Sequence, residues 1–252
     1  MTQPCASESQ AARVNRMVWL SGMSGVCLAE LLVGLAAAII VLTATLETFN
    51  VVHRHVTKQQ LGLAHQQDIR LGLEVFEQEA RLAVAESIAI AHPDEFLFLA
   101  NINAQRTTTT SSAMPGQLVL SVQDGSGWGE GKTVELCGPR ACERHQLARA
   151  GQRGFLTLTE PVESAFPAGA SVDVRNRVLY YTRPDERGSL RLMRMVDGGA
   201  STLVAGLESA RFSYRDDRGR ATSTPSQVKR VVVEIESERS AHTVVRDVSL
   251  RS

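Results

Sequence analysis

The chain has 252 residues, in which 27 Lys and Arg balance 27 Asp and Glu, and aromatic residues make up only 5%. This neutral charge and this shortage of aromatic side chains exclude the basic, base-stacking surface typical of nucleic-acid-binding proteins, so we expect no nucleic-acid contact. Roughly 200 residues follow the apolar N-terminal region, enough for one domain with a core of its own.

The N-terminal region contains the longest apolar stretch of the chain. Residues 1–25 are polar, and residues 31–46 carry no charge. A helix over residues 26–46 covers about 30 Å, the thickness of the hydrocarbon core of a membrane. Arg13 and Arg16 precede this span and Glu47 follows it. The positive-inside rule therefore predicts a cytoplasmic N-terminus and an extracytoplasmic remainder.

Glu30 lies inside this apolar stretch, where a carboxylate is costly unless it has a partner. A cleaved secretory signal peptide is one interpretation, with the segment 43–45 as a weak cleavage site, but the apolar region of a signal peptide is shorter than this one. An uncleaved signal anchor is a second interpretation. Neither of them explains Glu30.

The segment 25–35, GVCLAELLVGL, resembles the class III signal of type IV prepilins and type II secretion pseudopilins. The resemblance implies that a prepilin peptidase cleaves between Gly25 and Val26 and methylates the new amine of Val26. It makes Glu30 the fifth residue of the mature chain, where it would neutralise that amine on a neighbouring subunit. Val26 replaces the family's commoner phenylalanine and Cys27 is an unusual second residue, but both are apolar.

The same resemblance implies partners and a location. The partners would be other pilins or pseudopilins, bound through the N-terminal helix, together with the prepilin peptidase and the inner-membrane assembly platform. The protein would cross the bacterial inner membrane once, with its C-terminal domain in the periplasm. It would serve as a minor subunit that primes or caps a type IV pilus or a type II secretion pseudopilus. The resemblance implies no enzymatic activity and no cofactor.

Beyond the membrane the pattern is helical as far as Ala91. Ile69, Leu73, Phe76 and Ala80 recur at helical spacing, and Pro93 is the first stop signal. We therefore predict a leader over residues 1–25, a transmembrane helix over 26–49, an amphipathic helix over 50–100 and a β-rich domain over 101–252. The expected class is α+β, in which a long N-terminal helix packs on a mostly antiparallel sheet, as in pilins.

Short strands are predicted after a polar connector over residues 101–116, which contains four consecutive threonines. Residues 183–189 are predicted to form a hairpin loop between two of these strands. Residues 203–216 and the strand over 228–235 resemble the J-type and W-type minor pseudopilins, in which a short helical stretch leads into a strand and a turn. The turn here is predicted at residues 216–219.

Cys137 and Cys142 enclose a Gly-Pro turn and lie outside the cytoplasm in the predicted topology. A disulfide between them is the favoured interpretation, because the extracytoplasmic compartment is oxidising. Free thiols and a metal site that includes His145 remain as alternatives, although a structural zinc site needs four ligands.

No catalytic residues can be assigned from the sequence. The loop over residues 125–133 resembles a phosphate-binding loop, but its spacing is wrong and a strand follows it, so we predict an exposed hairpin loop. The histidines form no metal-binding motif. The competing function is an unprocessed, signal-anchored domain that binds a ligand or acts as an enzyme, and an intact Met1 would favour it.

Overall fold

The structure, a computed structural model, describes residues 28–186, 188–238 and 240–251. The chain divides into two compact units, residues 1–59 and residues 60–252. One helix, α1 (Leu28–Ala80), is followed by antiparallel strands. These are β1 (Ile88–Ala91), β2 (Glu95–Ala100), β3 (Arg106–Thr108), β4 (Val119–Ser121), β5 (Thr133–Cys137), β6 (Cys142–Gln146), β7 (Phe155–Thr157), β8 (Ser171–Pro184), β9 (Leu190–Val196), β10 (Gly199–Arg215), β11 (Arg230–Ser237) and β12 (Ser240–Ser249).

The main sheet has the order β1-β2-β8-β9-β10-β11-β12, and adjacent strands in this order pair antiparallel. Most of these neighbours follow each other along the chain, so the sheet is built largely from hairpins. The predicted loop over residues 183–189 is confirmed, because β8 and β9 pair on either side of it. The predicted α+β class, with a long N-terminal helix and a mostly antiparallel sheet, is also confirmed.

The helix ends at Ala80, so the predictions of a helix to Ala91 and of an amphipathic helix over residues 50–100 are wrong. Its last turn tightens, with the amide of Ala83 bonded to the carbonyl of Ala80. Ser87 then bonds both backbone groups of Val84, and β1 begins at Ile88. The alternation of isoleucine and alanine in β1 fits a strand. Pairing with β2 provides hydrogen-bond partners for its backbone amides and carbonyls.

The main core lies between the C-terminal part of α1 and the sheet. Ile69, Leu73, Phe76 and Ala80 are buried, as their helical spacing predicted. The ring of Phe76 lies 5.0 Å from that of Tyr180 in an edge arrangement. It also contacts the rings of Phe96 and Phe212, at centroid distances of 6.2 and 5.8 Å. Phe76 is therefore the centre of an aromatic cluster that joins the helix to three strands.

Beside this cluster, the side chain of Glu79 links α1 to the sheet through a hydrogen bond and an ion pair. Its carboxylate accepts a hydrogen bond of 2.5 Å from the hydroxyl of Tyr180 on β8 and pairs through two nitrogens with the guanidinium of Arg194 on β9. Burial of the phenol and the negative charge of Glu79 raise the pKa of Tyr180 far above its usual value. The phenol therefore stays protonated and donates its hydrogen bond at all physiological pH values.

Gly72 and Gly206 mark close approaches between α1 and β10. A Cβ atom on Gly72 would lie 2.5 Å from a methyl carbon of Val204, so a larger residue would push the helix from the sheet. Gly206 has a φ of +69° and lies against the ring of His65, whose Nε2 bonds Ser237 at 2.8 Å. The stretch predicted as helical around residue 203 is instead part of β10, with register shifts near Gly206.

A second hydrophobic core is formed by buried side chains from residues 113–174, which follow β2 in the chain and extend into the first half of β8. The N-terminal half of β8 pairs with β3 and β5, and β4 pairs with β7. We call residues 101–170 with this half of β8 the accessory lobe. The threonine run predicted as a connector contributes to it, because Thr107 and Thr109 are buried, and the hydroxyl of Thr109 donates to the carbonyl of Pro167. The interpretation as a simple connector is therefore wrong.

The glycine-rich loop over residues 125–133 is not a hairpin loop. The strands before and after it, β4 and β5, pair with β7 and with β6 and β8 instead of with each other. Trp128 within the loop is only 4% exposed and belongs to the second core. Gly151 packs so closely that a Cβ atom would lie 2.3 Å from the carbonyl oxygen of Gly125. The glycines therefore allow close packing of two loops.

Glu135 on β5 is held between two arginines in the accessory lobe. Its carboxylate accepts hydrogen bonds from Arg144 at 3.0 Å and from Arg175 at 2.9 Å. Burial of Glu135 opposes its ionisation, but these hydrogen bonds and positive charges outweigh burial and lower its pKa. Ionised Glu135 therefore stabilises the fold above its unfolded pKa, and this stabilisation is lost as the pH falls through the folded pKa.

We expect the substitution Glu135→Gln to lower the free energy of unfolding by about 2 kcal/mol at neutral pH, since it removes charged hydrogen bonds. The variant should also lose less stability than the wild type between pH ~5 and pH ~3, because it lacks the group that titrates there. Denaturant unfolding at each pH, followed by intrinsic fluorescence, measures both effects. The exposed Glu130→Gln variant is the control, and equal pH slopes for all three proteins would contradict the assignment.

Candidate functional site

Residues 28–59 of α1 are exposed throughout, and residues 28–46 are apolar apart from Glu30 and two threonines. Leu31, Leu35, Ile39 and Leu46 each expose more than half of their side-chain surface, and no residue of this segment is buried. Among the described residues, α1 is the one helix long and apolar enough to cross a membrane. A helix that is apolar on every side requires lipid or other apolar helices around it.

Glu30 lies near the N-terminal end of the described part of α1 and is exposed. Gly25, Val26 and Cys27, which carry the predicted cleavage and methylation, lie outside the described residues. Glu30 is thus part of the exposed apolar helix, and its predicted pairing with the Val26 amine remains a prediction.

Hydroxyl groups inside the apolar segment are satisfied by the helix itself, a feature that the sequence analysis missed. Thr43 donates to the carbonyls of Ile39 and Ile40, each at 2.9 Å, and Thr48 donates to that of Ala44 at 2.9 Å. Thr45 bonds Leu42 at 2.8 Å. These bonds let threonines lie in lipid without unsatisfied donors. The segment 43–45, the weak cleavage site of the signal-peptide interpretation, is helical.

Two cations follow the apolar segment at helical spacing. Arg54 and Lys58 are exposed and lie four residues apart on one face of α1. Within residues 28–59 no side chain forms a hydrogen bond or ion pair with either of them. Nearby, Phe49 stacks on His53 at 6.0 Å, and Gln59 bonds His55 at 3.0 Å. The sequence contained this signal as an i,i+4 pair of like charges.

Cys137 and Cys142 form a disulfide that joins the ends of β5 and β6. The amide of Gly138 bonds the carbonyl of Ala141, which closes the turn between the two strands. The favoured interpretation is therefore confirmed. The alternatives, free thiols and a metal site with His145, are wrong because both sulfurs are bonded to each other.

We expect the double substitution Cys137→Ala/Cys142→Ala to lower the free energy of unfolding by about 2 kcal/mol, since this disulfide restricts only a short loop of the unfolded chain. Denaturant unfolding with and without dithiothreitol measures the loss. The reductant should lower the unfolding midpoint of the wild type and leave that of the double variant unchanged. An unchanged wild-type midpoint after complete reduction would contradict a stabilising role for this bond.

His145 has a structural role. It is 6% exposed, and its Nε2 lies 3.2 Å from the carboxylate of Glu143. That carboxylate also accepts hydrogen bonds from the backbone amides of Glu163 and Ser164. These bonds attach the loop between β7 and β8 to β6. Burial of Glu143 opposes its ionisation, but the hydrogen bonds from Ser164, Glu163 and His145 together lower its pKa.

The acid at the predicted turn is also structural. The carboxylate of Asp216 accepts hydrogen bonds from the amides of Arg218 and Arg220, at 2.9 and 2.8 Å, and pairs with the Arg220 side chain. These contacts confirm the predicted turn at residues 216–219. In the part of the chain that the structure describes, no group of three or more His, Cys, Asp or Glu side chains could hold a metal ion.

A cavity of about 510 Å³ lies at the loop between β8 and β9. Its lining includes Arg183, Asp185, Arg191 and Met193, and Arg191 pairs with Asp185 at 3.4 Å. Among the described lining residues, Asp185 and Glu186 carry the carboxylates.

The sequence matches no model of a known protein family, and no curated protein is significantly similar to it.

Proposed function

We propose that this chain is a minor pilin or pseudopilin, a structural subunit that primes or caps a type IV pilus or a type II secretion pseudopilus. The observation that carries the proposal is an exposed apolar helix that contains Glu30, four residues after the predicted new N-terminus at Val26. The segment 25–35, which resembles the class III prepilin signal, supplies the cleavage site that would create a cation for it.

In this proposal the prepilin peptidase cleaves after Gly25, and the amine of Val26 becomes the partner of Glu30 on a neighbouring subunit. An ion pair in a low-dielectric environment is strongly favoured over two separate charges, so it would set the register of the assembled helices. The apolar side chains of residues 31–46 first hold the subunit in the inner membrane and then pack against the helices of sibling subunits.

The domain over residues 60–252 would make the lateral contacts between subunits. Its helix residues are attached to the sheet by the Phe76 cluster and by the contacts of Glu79. These attachments would couple the helix to the domain when the helix is drawn into a filament. The accessory lobe enlarges the domain, and a large domain is difficult to repeat densely along a filament. This argues for a role at the tip or in priming.

Processing of the N-terminus tests the proposal. The full chain, co-expressed with a prepilin peptidase, should yield a membrane protein that begins at Val26 and carries a methyl group on its amine. Gly25→Val should prevent cleavage. Gly34→Val is the matched control, since a Cβ atom at Gly34 meets no atom within 4 Å. N-terminal sequencing and intact mass measure the outcome, and a wild-type chain that keeps Met1 would favour the signal-anchored alternative.

A further inference from the structure

We propose that Lys132 and Asn176 are joined by an intramolecular isopeptide bond, which forms without an external enzyme and with Asp197 as the proton carrier. The amine of Lys132 replaces the side-chain amide nitrogen of Asn176, which leaves as ammonia. The bond fastens the accessory lobe to the main sheet. The inference goes beyond the proposed function and does not depend on it.

The three side chains meet at one edge of β8, where β5 ends and β9 begins. β5 pairs with the first half of β8 as far as Thr133, which is opposite Arg175. Lys132, the preceding residue, therefore lies opposite Asn176. Directly opposite residues of an antiparallel pair have Cβ atoms about 5 Å apart on the same face. β9 pairs with the second half of β8, and Asp197 follows its last residue.

Asp197 contacts both of the reacting side chains. Its Oδ2 atom accepts hydrogen bonds from the ammonium of Lys132 and, at 2.8 Å, from the amide nitrogen of Asn176. Two hydrogen-bond lengths, about 6 Å, are therefore the upper limit of the distance between the two nitrogens. The backbone amide of Arg177 donates to Oδ1 of Asp197 at 2.8 Å and fixes the carboxylate in place. The positive φ values of Asp197 and Gly198, 49° and 93°, are typical of a tight hairpin turn.

The site is largely enclosed, and its carboxylate is in the basic form. Asn176 is fully buried, and the side chains of Lys132 and Asp197 are 24% and 27% exposed. Burial of Asp197 opposes its ionisation, but the hydrogen bonds from Lys132 and Asn176 outweigh burial and lower its pKa. The ionised carboxylate accepts a proton from the lysine ammonium, which leaves a neutral amine beside the amide.

The reaction balances with these groups alone. After Asp197 has taken one proton, the electron pair of Nζ on Lys132 attacks Cγ of Asn176. The backbone amide of Ile102 donates to Oδ1 of Asn176 at 3.3 Å, so it stabilises the negative charge that develops on this oxygen. Asp197 delivers its proton to Nδ2, the bond between Cγ and Nδ2 breaks, and ammonia leaves. The surplus proton on Nζ passes through Asp197 to the ammonia, which becomes ammonium.

Holding the amine against the amide makes this exchange an intramolecular reaction, in which the effective concentration of the amine is far higher than in solution. An ordinary ion pair between Lys132 and Asp197 would have the same contacts and no new bond. The two interpretations differ in covalent mass, because the bond removes one ammonia from the chain.

Mass spectrometry of the full chain tests the bond. The chain is expressed without a prepilin peptidase, purified in detergent and reduced. The wild type should be about 17 Da lighter than the mass calculated from its sequence, and trypsin should release a branched peptide that joins residue 132 to residue 176. Lys132→Arg keeps the positive charge beside Asp197 but lacks the amine, so it should have the full mass. Asp197→Ala should also have the full mass. Lys229→Arg removes a lysine elsewhere and should keep the deficit.

A wild-type chain of full mass, without the branched peptide, would overturn the bond, and this result needs no variant to fold. A deficit of about 18 Da with Lys132 joined to Asp197 would overturn Asn176 as the acceptor, since that bond releases water. A deficit that persists in Lys132→Arg would overturn the role of the lysine and identify ring closure of an asparagine side chain. A branched peptide from Asp197→Ala would overturn the role of Asp197 as proton carrier.

Discussion

Replacing Phe76 by alanine is expected to lower the free energy of unfolding of the domain over residues 60–252 by about 3–5 kcal/mol. Phe76 is fully buried, and its ring contacts those of Phe96, Tyr180 and Phe212. The substitution removes the apolar surface of the ring and leaves a cavity between the helix and three strands. A loss of this size is comparable with the whole stability of a marginal domain.

Guanidinium unfolding of the full chain in detergent, followed by the far-ultraviolet circular dichroism of the sheet, measures this loss. Leu71→Ala is the matched control, because Leu71 lies on the same helix but is 59% exposed. The control should change the free energy of unfolding by no more than about 0.5 kcal/mol. Equal effects of the two substitutions would mean that Phe76 is not the centre of this core.

Replacing Glu30 by alanine is expected to reduce incorporation of the subunit into filaments at least ten-fold, if the proposed function is correct. Removing one member of a buried ion pair costs about 3–5 kcal/mol, because the other charge is left without a partner. The amine of Val26 on the neighbouring subunit would then lie uncompensated among apolar helices. The amount of the variant in isolated filaments, relative to its amount in the membrane, measures the effect.

Glu47→Ala is the control for this substitution, since Glu47 lies at the other end of the uncharged stretch and has no assigned partner. It should assemble as the wild type does. Normal incorporation of Glu30→Ala would remove the main support for an assembly function. Processing at Gly25 should be measured in the same samples, so that a failure of cleavage is not mistaken for a failure of assembly.

The accessory lobe shows how a local pattern can mislead. Residues 107–110 are all threonine, and such a polar run predicts a connector. In the fold, Thr109 both donates to the carbonyl of Pro167 and accepts the amide of Ala170, so its hydroxyl is satisfied inside the lobe. The glycine-rich loop differs from the predicted exposed hairpin for a related reason, because the burial of Trp128 depends on strands distant in the chain. Contacts between residues that are distant in the chain produce no hydrophobic periodicity within a single segment of the sequence.

The sequence by itself determined the apolar N-terminal helix that contains Glu30, the buried face from Ile69 to Ala80, and the α+β class. These features follow from hydrophobic runs and periodicities that are contained within one segment. It also favoured the bridge between Cys137 and Cys142, which lie close together in the chain. Gly25 and Val26 were identified by resemblance alone, and their cleavage remains a prediction.

Only the tertiary structure decided where α1 ends, because the residues after Ala80 can continue a helix or pair as a strand, and β2 supplies the pairing that favours the strand. It likewise decided the strand over residues 199–215, the pairing of Glu79 with Tyr180 and Arg194, and the second core. Each of these depends on contacts between distant parts of the chain, whose free energy exceeds the small local preferences that a sequence pattern reports.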